Sequence, residues 1–158
     1  MARELITSWE GYRTAIDRLL YMACKKICIY DKDLEQLKLD SALHLPQIQR
    51  VLQAGHQESL QIIVRDADLL RNHSPRLIKL LTGFGDRIIA QQSPPDLAHL
   101  RDSILIIDDK HALIRFEQDL PRSKLLIDEA AELKPYLNRF SELCVAGGES
   151  ICTNTLGL

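Results

Sequence analysis

The sequence predicts a single α/β domain whose mixed, mostly parallel sheet carries a β-hairpin and is flanked by helices on both faces. Short apolar runs alternate with amphipathic segments over the first part of the chain, which is typical of parallel strands joined by crossover helices. Two further apolar runs are separated by the polar residues 108–111, which predicts the hairpin. The 158 residues suffice for one core. We expect residues 1–148 to form this domain and residues 149–158 to form a tail that is either an edge strand or disordered.

The composition excludes several classes of protein. Hydrophobic residues make up 46% and charged residues 27%, and the formal net charge is -2, which is not the strongly basic balance of a typical nucleic-acid-binding domain. No apolar run approaches the roughly 20 residues of a membrane span, and no targeting segment is recognisable, so we expect a cytoplasmic protein. The four cysteines lack the spacing of a zinc site, and we expect no metal or cofactor; they are Cys24, Cys28, Cys144 and Cys152.

The first third of the chain predicts helix, strand, helix, strand. Apolar residues recur at helical spacing over 8–23, and Thr7 and Glu10 have the spacing of a capping box. The run 27–30 is short and apolar, which indicates a buried strand. A second helix is expected over 45–54, with Pro46 in its first turn and Gly55 just past its end. A second strand is expected over Leu60–Val64.

The rest of the chain predicts a third helix, two more strands, the hairpin that lies between those strands, and a closing helix. Ser74 and Pro75 have the pattern of a helix start, and a third strand is expected over 88–90. The hairpin strands are expected over Ser103–Ile107 and 112–116, followed by a short strand over 124–127. A last helix is expected over 129–145, broken or bent near Pro135 and ended by two glycines.

Residues 101–114, which read RDSILIIDDKHALI, resemble the hairpin of the phospholipase D superfamily. In that family the first strand carries His-x-Lys-x4-Asp, and a turn and a second strand follow. The order of predicted elements resembles one half of the phospholipase D fold over most of the chain, and residues 137–143 resemble its closing helix. The sequence is also similar to an uncharacterised bacterial domain that follows an acetyltransferase domain in some proteins, which implies a bacterial source.

The resemblance places the family's Asp on Asp108, its Lys on Ser103 and its His on Arg101. Arginine stays protonated and is not a nucleophile, and serine is too short and uncharged to clamp a phosphate oxygen as lysine does. The resemblance therefore implies a catalytically inactive binding or regulatory module. Because one half in this family often pairs with a second copy around a two-fold axis, it also implies a homodimer.

Two alternatives remain open at this point. In the first, the chain is a phosphodiesterase or nuclease that uses a histidine at a shifted position in the sequence. His99 and Arg101 can replace the missing pair, but His99 lies two residues too far from Asp108, which moves it by roughly 7 Å along a strand; His111 is the other candidate. In the second, the chain binds nucleic acid through local basic residues, namely Arg65, Arg71, Arg76 and Lys79.

Polar residues follow the predicted strands, where ligands gather in parallel α/β sheets. We expect a cleft that binds a small anionic or phosphorylated ligand, lined by Arg101, Asp108, Asp31, Arg65 and Asp66. Arginine is a bidentate donor to phosphate and carboxylate. The competing interpretations are that Arg101 is a surface arginine or one paired with Asp102 or Asp108, and that the turn aspartates at 108 and 109 hydrogen-bond locally.

Overall fold

The computed structural model describes residues 1–151, which form one eight-stranded mixed sheet covered by helices. The sheet order is β1-β7-β6-β5-β2-β3-β4-β8. The strands are β1 (Ala2–Ile6), β2 (Ile27–Asp31), β3 (Leu60–Val64), β4 (Ile88–Gln92), β5 (Ser103–Ile107), β6 (His111–Arg115), β7 (Ser123–Ile127) and β8 (Glu149–Ser150). The helices are α1 (Trp9–Met22), α2 (Leu45–Gln53), α3 (Asp68–Asn72), α4 (Pro75–Thr82) and α5 (Ala130–Ala146). Three 3₁₀ turns lie at Glu35–Leu37, Gly85–Arg87 and Pro95–Leu97.

The mixed sheet with flanking helices confirms the predicted fold class, although most of its pairings are antiparallel. Among the described residues, β2, β3 and β4 pair in parallel. The hairpin of β5 and β6 joins β2 antiparallel, and β1, β7 and β8 add antiparallel strands. The expectation of a mostly parallel sheet was wrong because β1 and the pairing partners of the hairpin were not recognisable in the sequence.

Apolar side chains cover both faces of the sheet. Ile27 and Ile29 of β2 pack in the core that contains α1, α2 and α4, whereas Cys28 and Tyr30 pack in the core that contains α5. This alternation is the period of two that a strand imposes. We call these two sides the α1 face and the α5 face. The buried strands read as apolar runs in the sequence because both of their sides are covered.

Two helix starts differ in detail from the sequence prediction. The cap of α1 is Ser8, whose Oγ accepts from the N–H of Gly11 at 3.0 Å, so the proposed capping box of Thr7 and Glu10 was wrong. Pro75 does open α4, but Ser74 makes no cap bond there. Asp40 accepts from the N–H of Leu77 at 2.5 Å instead, so a distant carboxylate satisfies this helix end.

The ends of the chain differ most from the expectation. β1 was missed because its first four residues are exposed and lack an apolar alternation. α5 is one helix through Pro135 rather than a broken one, and it ends at Gly147, whose φ is 77°. β8 pairs antiparallel with β4 at the sheet edge. The tail prediction for residues 152–158 lies outside the described residues, and the division at residue 148 stays a prediction.

Within residues 1–151, none of the helices combines the length and the apolar composition that a membrane span needs.

Candidate functional site

The carboxyl ends of β2, β3 and β4 meet the beginning of β5 at one end of the sheet. Because β5 runs antiparallel to β2, the pair Tyr30 and Ile104 is followed by Asp31 beside Ser103. Ser103 in turn lies opposite Arg115 of β6. The sheet therefore brings an acid, a hydroxyl and a base together on adjacent strands.

These three residues, Asp31, Ser103 and Arg115, form a buried group that we call the α1-face network. The Arg115 guanidinium donates to Asp31 Oδ1 at 3.0 Å and to Ser103 Oγ at 3.3 Å, and the Ser103 hydroxyl donates to the same Asp31 oxygen. The other Asp31 oxygen accepts from the N–H of Leu34 at 2.7 Å and of Asp33 at 3.2 Å. Both carboxylate oxygens of Asp31 are thus satisfied inside the protein.

Aromatic rings complete the surroundings of Arg115. Its guanidinium carbon lies 5.3 Å from the centre of the Trp9 ring and 5.0 Å from that of Tyr12, and it also donates to the Gln118 carbonyl. Cation–π contacts of this kind stabilise a desolvated arginine. Burial raises the pKa of Tyr12 to about 12. The α1-face network is therefore closed by α1 on one side and has no solvent-facing charge.

A second polar group lies at the same end of the sheet on the α5 face. It consists of Tyr30, Arg65, Asp102, Gln118 and Arg139, and we call it the α5-face cluster. Arg65 donates to the Asp102 carbonyl at 2.9 Å and to Gln118 Oε1 at 3.0 Å, and its guanidinium carbon lies 5.0 Å from the centre of the Tyr30 ring. Arg139 of α5 donates twice to the Asp102 carboxylate, at 3.0 and 2.9 Å.

Electrostatics in the α5-face cluster follow from these contacts. The hydrogen bonds from Arg139 to Asp102 raise the pKa of Arg139. Burial raises the pKa of Tyr30, and the positive charge of Arg65 acts against it. The Asp102 and Arg139 side chains are 23% and 37% exposed, so this cluster, unlike the α1-face network, faces solvent.

Arg101, which the sequence resemblance places at the position of the phospholipase D histidine, lies outside both groups. It donates to both Glu117 oxygens at 2.7 and 2.8 Å and to Asp119 at 2.6 Å. Asp102 and Asp108 are not its partners, so the alternative of a pair with either of them was wrong, whereas the alternative of a surface arginine agrees with its 50% exposed side chain. The hydrogen bonds between Arg101 and Glu117 raise the pKa of the arginine and lower that of the carboxyl. Arg101 is an exposed, ion-paired residue.

Asp108 lies at the opposite end of β5 from Arg101. Its carboxylate accepts from the N–H groups of Cys24, Lys25 and Lys26, at distances from 2.7 to 3.3 Å. The residue has a φ of 55° in the hairpin turn. These donors lie 82–84 positions away along the chain, so the interpretation of Asp108 as a locally bonded turn residue was wrong. The contacts also remove Asp108 from any cleft with Asp31.

The structure therefore separates the residues of the predicted cleft. Asp31 lies on the α1 face, Arg65 lies on the α5 face, and Arg101 is exposed beyond the start of β5. Asp66 is exposed and accepts from the N–H of Asp68 at the start of α3. The expectation of one cleft was wrong because proximity at a sheet edge does not fix the face on which a side chain lies.

The two histidines of the catalytic alternative lie at different ends of the hairpin. His99 is exposed in the loop before β5. His111 begins β6, where its Nδ1 accepts from the N–H of Asp128 at 3.0 Å and burial lowers its pKa. Strand β5 (Ser103–Ile107) lies between the two histidines, and at 3.4 Å per residue it is about 14 Å long. His99 and His111 thus do not form one site.

Arg115, Tyr30, Gln118 and Arg139 were missed at the sequence level. Arg115 ends a strand that is otherwise apolar, and a charge inside such a run was the available signal. Tyr30 reads as an ordinary strand former, and Arg139 reads as a surface residue of a helix. Their role depends on which strands become neighbours, which local pattern does not specify.

The cysteines show no metal-binding arrangement in the described part of the chain, where no group of three His, Cys, Asp or Glu side chains could hold an ion. Cys24 is exposed, whereas burial raises the pKa of the Cys28 thiol to about 12 and also raises that of Cys144. Cys152 lies outside the described residues. The described thiols at 28 and 144 are thus disfavoured as thiolates.

Comparison with known proteins gives one family and several structural neighbours. The family model described as Domain of unknown function (DUF7931) matches residues 8–147. No curated protein matches the chain in sequence. Nuc from Salmonella typhimurium, a phospholipase D family member, superposes with a TM-score of 0.61 and 12% identity over 94% of this chain and 97% of its own. NucT from Helicobacter pylori superposes with a TM-score of 0.61 and 13% identity over 92% of this chain and 96% of its own.

A third neighbour is TrmBL2, an archaeal chromatin protein whose structure shows a novel mode of DNA binding. It superposes with a TM-score of 0.68 and 13% identity over 94% of this chain. The match covers 54% of TrmBL2, so the chain spans about half the length of that protein. At these identities the likeness concerns the fold alone, which is therefore phospholipase D-like.

Proposed function

The chain belongs to the family described as Domain of unknown function (DUF7931), whose model spans residues 8–147, and from this premise we propose that it is a catalytically inactive phospholipase D-like module. The module corresponds to one half of the phospholipase D fold without the His-x-Lys part of the motif. Its role is to bind a small anionic ligand or to regulate a partner, and it acts as a homodimer.

The observation that carries this proposal is the state of Arg101 and Ser103. The Ser103 hydroxyl is committed to Asp31 and accepts from Arg115, and Arg101 is committed to Glu117 and Asp119. Neither side chain supplies an imidazole nucleophile or a free ammonium group. Loss of the nucleophile of a covalent mechanism removes several orders of magnitude in rate.

Hydrolysis assays test the inactive assignment. Purified chain is incubated with a chromogenic phosphodiester and with single- and double-stranded DNA, beside a variant in which His99→Ala and His111→Ala are combined. We expect equal background rates in both proteins, because neither histidine has a catalytic partner. Turnover by the unmodified chain that the double variant lacks would overturn the proposal and establish the phosphodiesterase or nuclease alternative.

Nucleic-acid binding is the second alternative, and the likeness in fold to TrmBL2 favours testing it. The basic residues expected to carry it are partly neutralised: Arg71 pairs with Glu149 at 3.3 Å, and Arg76 pairs with Asp40 at 3.6 Å. We expect no binding to a duplex at physiological salt. Binding that weakens steeply with added salt, and that Lys79→Ala weakens further, would establish this alternative instead.

The homodimer is tested by sedimentation equilibrium of the purified chain over a range of concentrations. We expect a mass of twice 18.0 kDa at micromolar protein. A mass of one chain at every concentration would remove the dimer from the proposal and leave the inactive module in place.

A further inference from the structure

Two buried hydroxyls at the carboxyl end of the sheet donate to no acceptor among the described residues; the Arg65 guanidinium, which interacts with the Tyr30 hydroxyl, is itself only a donor. They are Tyr30 Oη and Ser93 Oγ, on side chains that belong to residues 0% and 5% exposed. A buried hydroxyl without a partner costs free energy, and native proteins satisfy most such groups with protein, water or ligand. Because the hydroxyls of Tyr30 and Ser93 both lie near Arg65, we infer that a bound group accepts hydrogen bonds from them.

Both hydroxyls lie on the α5 face beside Arg65. Tyr30 packs in the core of α5, and the Arg65 guanidinium lies over its ring. Ser93 directly follows β4, and its N–H donates to the Val64 carbonyl at 2.8 Å, which places it next to Arg65 on the neighbouring strand. By strand alternation, Ser93 shares the face of Ile89 and Gln91, opposite to that of Ala90 in the α1 core.

The charge of the α5-face cluster favours an anion. Arg65 donates to two neutral acceptors, a carbonyl and an amide oxygen, and so keeps its full charge and further N–H groups. Arg139 is paired with the Asp102 carboxylate. Two guanidinium groups and one carboxylate leave a net charge of +1. The Asp102 carboxylate repels an anion on its own side, so the ligand has to approach from the side of Arg65.

We propose that the α5-face cluster, with Ser93, binds the phosphate group of a small phosphorylated ligand. Arg65 contacts the phosphate most closely, Arg139 adds positive charge, and the hydroxyls of Tyr30 and Ser93 donate to two of its oxygens. Three donor groups, Arg65 and the two hydroxyls, suit a tetrahedral phosphate with several acceptor oxygens better than a carboxylate with two. The inference rests on the proposed function in one respect, that the chain binds its ligand without cleaving it.

This site is distinct from the positions of the family's catalytic residues. Ser103 lies on the α1 face with Asp31, and Arg101 is paired with Glu117 and Asp119. Neither reaches the α5 face. The ligand site would thus have been built from side chains that the catalytic motif does not include.

Calorimetric titration with inorganic phosphate, a nucleoside monophosphate and a short single-stranded oligonucleotide tests the proposal. We expect saturable binding of the first two ligands by the full chain. Tyr30→Phe and Ser93→Ala should each weaken binding about tenfold, since each removes one hydrogen bond to a charged group. Arg65→Gln should abolish it. Arg101→Gln is the control, because it removes a cation from the same end of the sheet without touching the α5-face cluster.

Three outcomes would overturn the proposal. The first is no saturable binding at millimolar phosphate, which means that water alone satisfies the two hydroxyls. The second is an equal loss of affinity in Arg101→Gln and Arg65→Gln, which means general charge attraction. The third is much tighter binding of the oligonucleotide than of the monophosphate, which points to nucleic acid. If Arg65→Gln fails to fold, phosphate binding by Tyr30→Phe still tests the proposal, because this variant removes the hydroxyl and keeps the packing of the ring.

The hydrolysis assay separates this inference from the proposed function. Phosphate binding together with genuine phosphodiester turnover would remove the inactive assignment and leave the phosphate site. Absence of both binding and turnover would remove the phosphate site and leave the inactive module.

Discussion

The two faces of the sheet differ in how they treat polar residues at the same end. On the α1 face, Arg115 and Asp31 are 2% and 1% exposed and are bonded to each other and to Ser103. On the α5 face, Arg65 and Arg139 are partly exposed, and two buried hydroxyls lie nearby. In the α1-face network both Asp31 oxygens and the Ser103 hydroxyl have partners within the protein, although Arg115 Nε has none among the described residues. In the α5-face cluster the hydrogen bonds of Arg65 go to neutral acceptors, and the nearby hydroxyls donate to no acceptor in that part of the chain. We therefore expect the α1-face network to stabilise the fold, and the α5-face cluster is the site at which we propose that a ligand binds.

Removal of the charge of Arg115 is the strongest test of the proposed difference between the two faces. In Arg115→Met, Asp31 is left as an uncompensated buried carboxylate, and we expect the free energy of unfolding to fall by about 3–5 kcal/mol. Urea denaturation followed by circular dichroism measures the change. The double variant that adds Asp31→Asn should recover much of the loss, since it removes the buried charge as well. A loss below about 1 kcal/mol for Arg115→Met would mean that the network does not stabilise the fold.

Two buried serines, one on each face, allow the same substitution to be compared on both faces. Ser103 and Ser93 are 2% and 5% exposed and lie at the same end of the sheet. Ser103→Ala leaves Arg115 and Asp31 short of a partner and should cost about 1–3 kcal/mol. Ser93→Ala removes a hydroxyl that has no partner within residues 1–151, so we expect a change within about 0.5 kcal/mol in phosphate-free buffer. Equal losses in the same urea experiment would contradict the difference between the two faces.

The elements that the sequence predicted best are those with both sides buried. β3 was predicted over its full range, and so was β5, because a strand covered on two faces is apolar throughout. β1 and α3 were not predicted. β1 is an exposed edge strand that depends on β7 for its pairing, and α3 is only five residues long and contains a single buried residue, Leu70.

The site was predictable only in part, because a sequence gives the order of strands but not their register. The sequence correctly placed Asp31 and Arg65 at the ends of neighbouring strands. In the observed register Asp31 lies opposite Val64, so Arg65 is one residue further and points to the other face. The partnership of Ser103 with Arg115 depends likewise on the register of the hairpin. A shift of the hairpin register by one residue would place Ser103 and Arg115 on opposite faces of the sheet.

The same charge removal on the α5 face should cost far less than on the α1 face. In Arg139→Met, Asp102 loses its partner but is 23% exposed, so water replaces the lost hydrogen bonds. We expect a loss of up to about 1 kcal/mol, in the range of solvent-accessible ion pairs. Salt should reduce the difference between this variant and the unmodified chain. A loss as large as that of Arg115→Met would show that the α5-face cluster is also part of the structural core.

The smallest effect is expected at Arg101, although the sequence resemblance places it at the position of the phospholipase D nucleophile. The side chains of Arg101, Glu117 and Asp119 are 50%, 32% and 66% exposed, so Arg101→Gln should leave stability nearly unchanged at physiological salt. Because Arg101 lowers the pKa of Glu117, the folded chain binds fewer protons there than the unfolded chain. Any stabilisation by the pair is therefore present at neutral pH and is lost as the pH falls below the ordinary value of 4.5. Urea curves of both proteins at neutral and acid pH check this. A difference that grows on acidification would contradict the exposed pairing, and with it the view that this position has become ordinary protein surface.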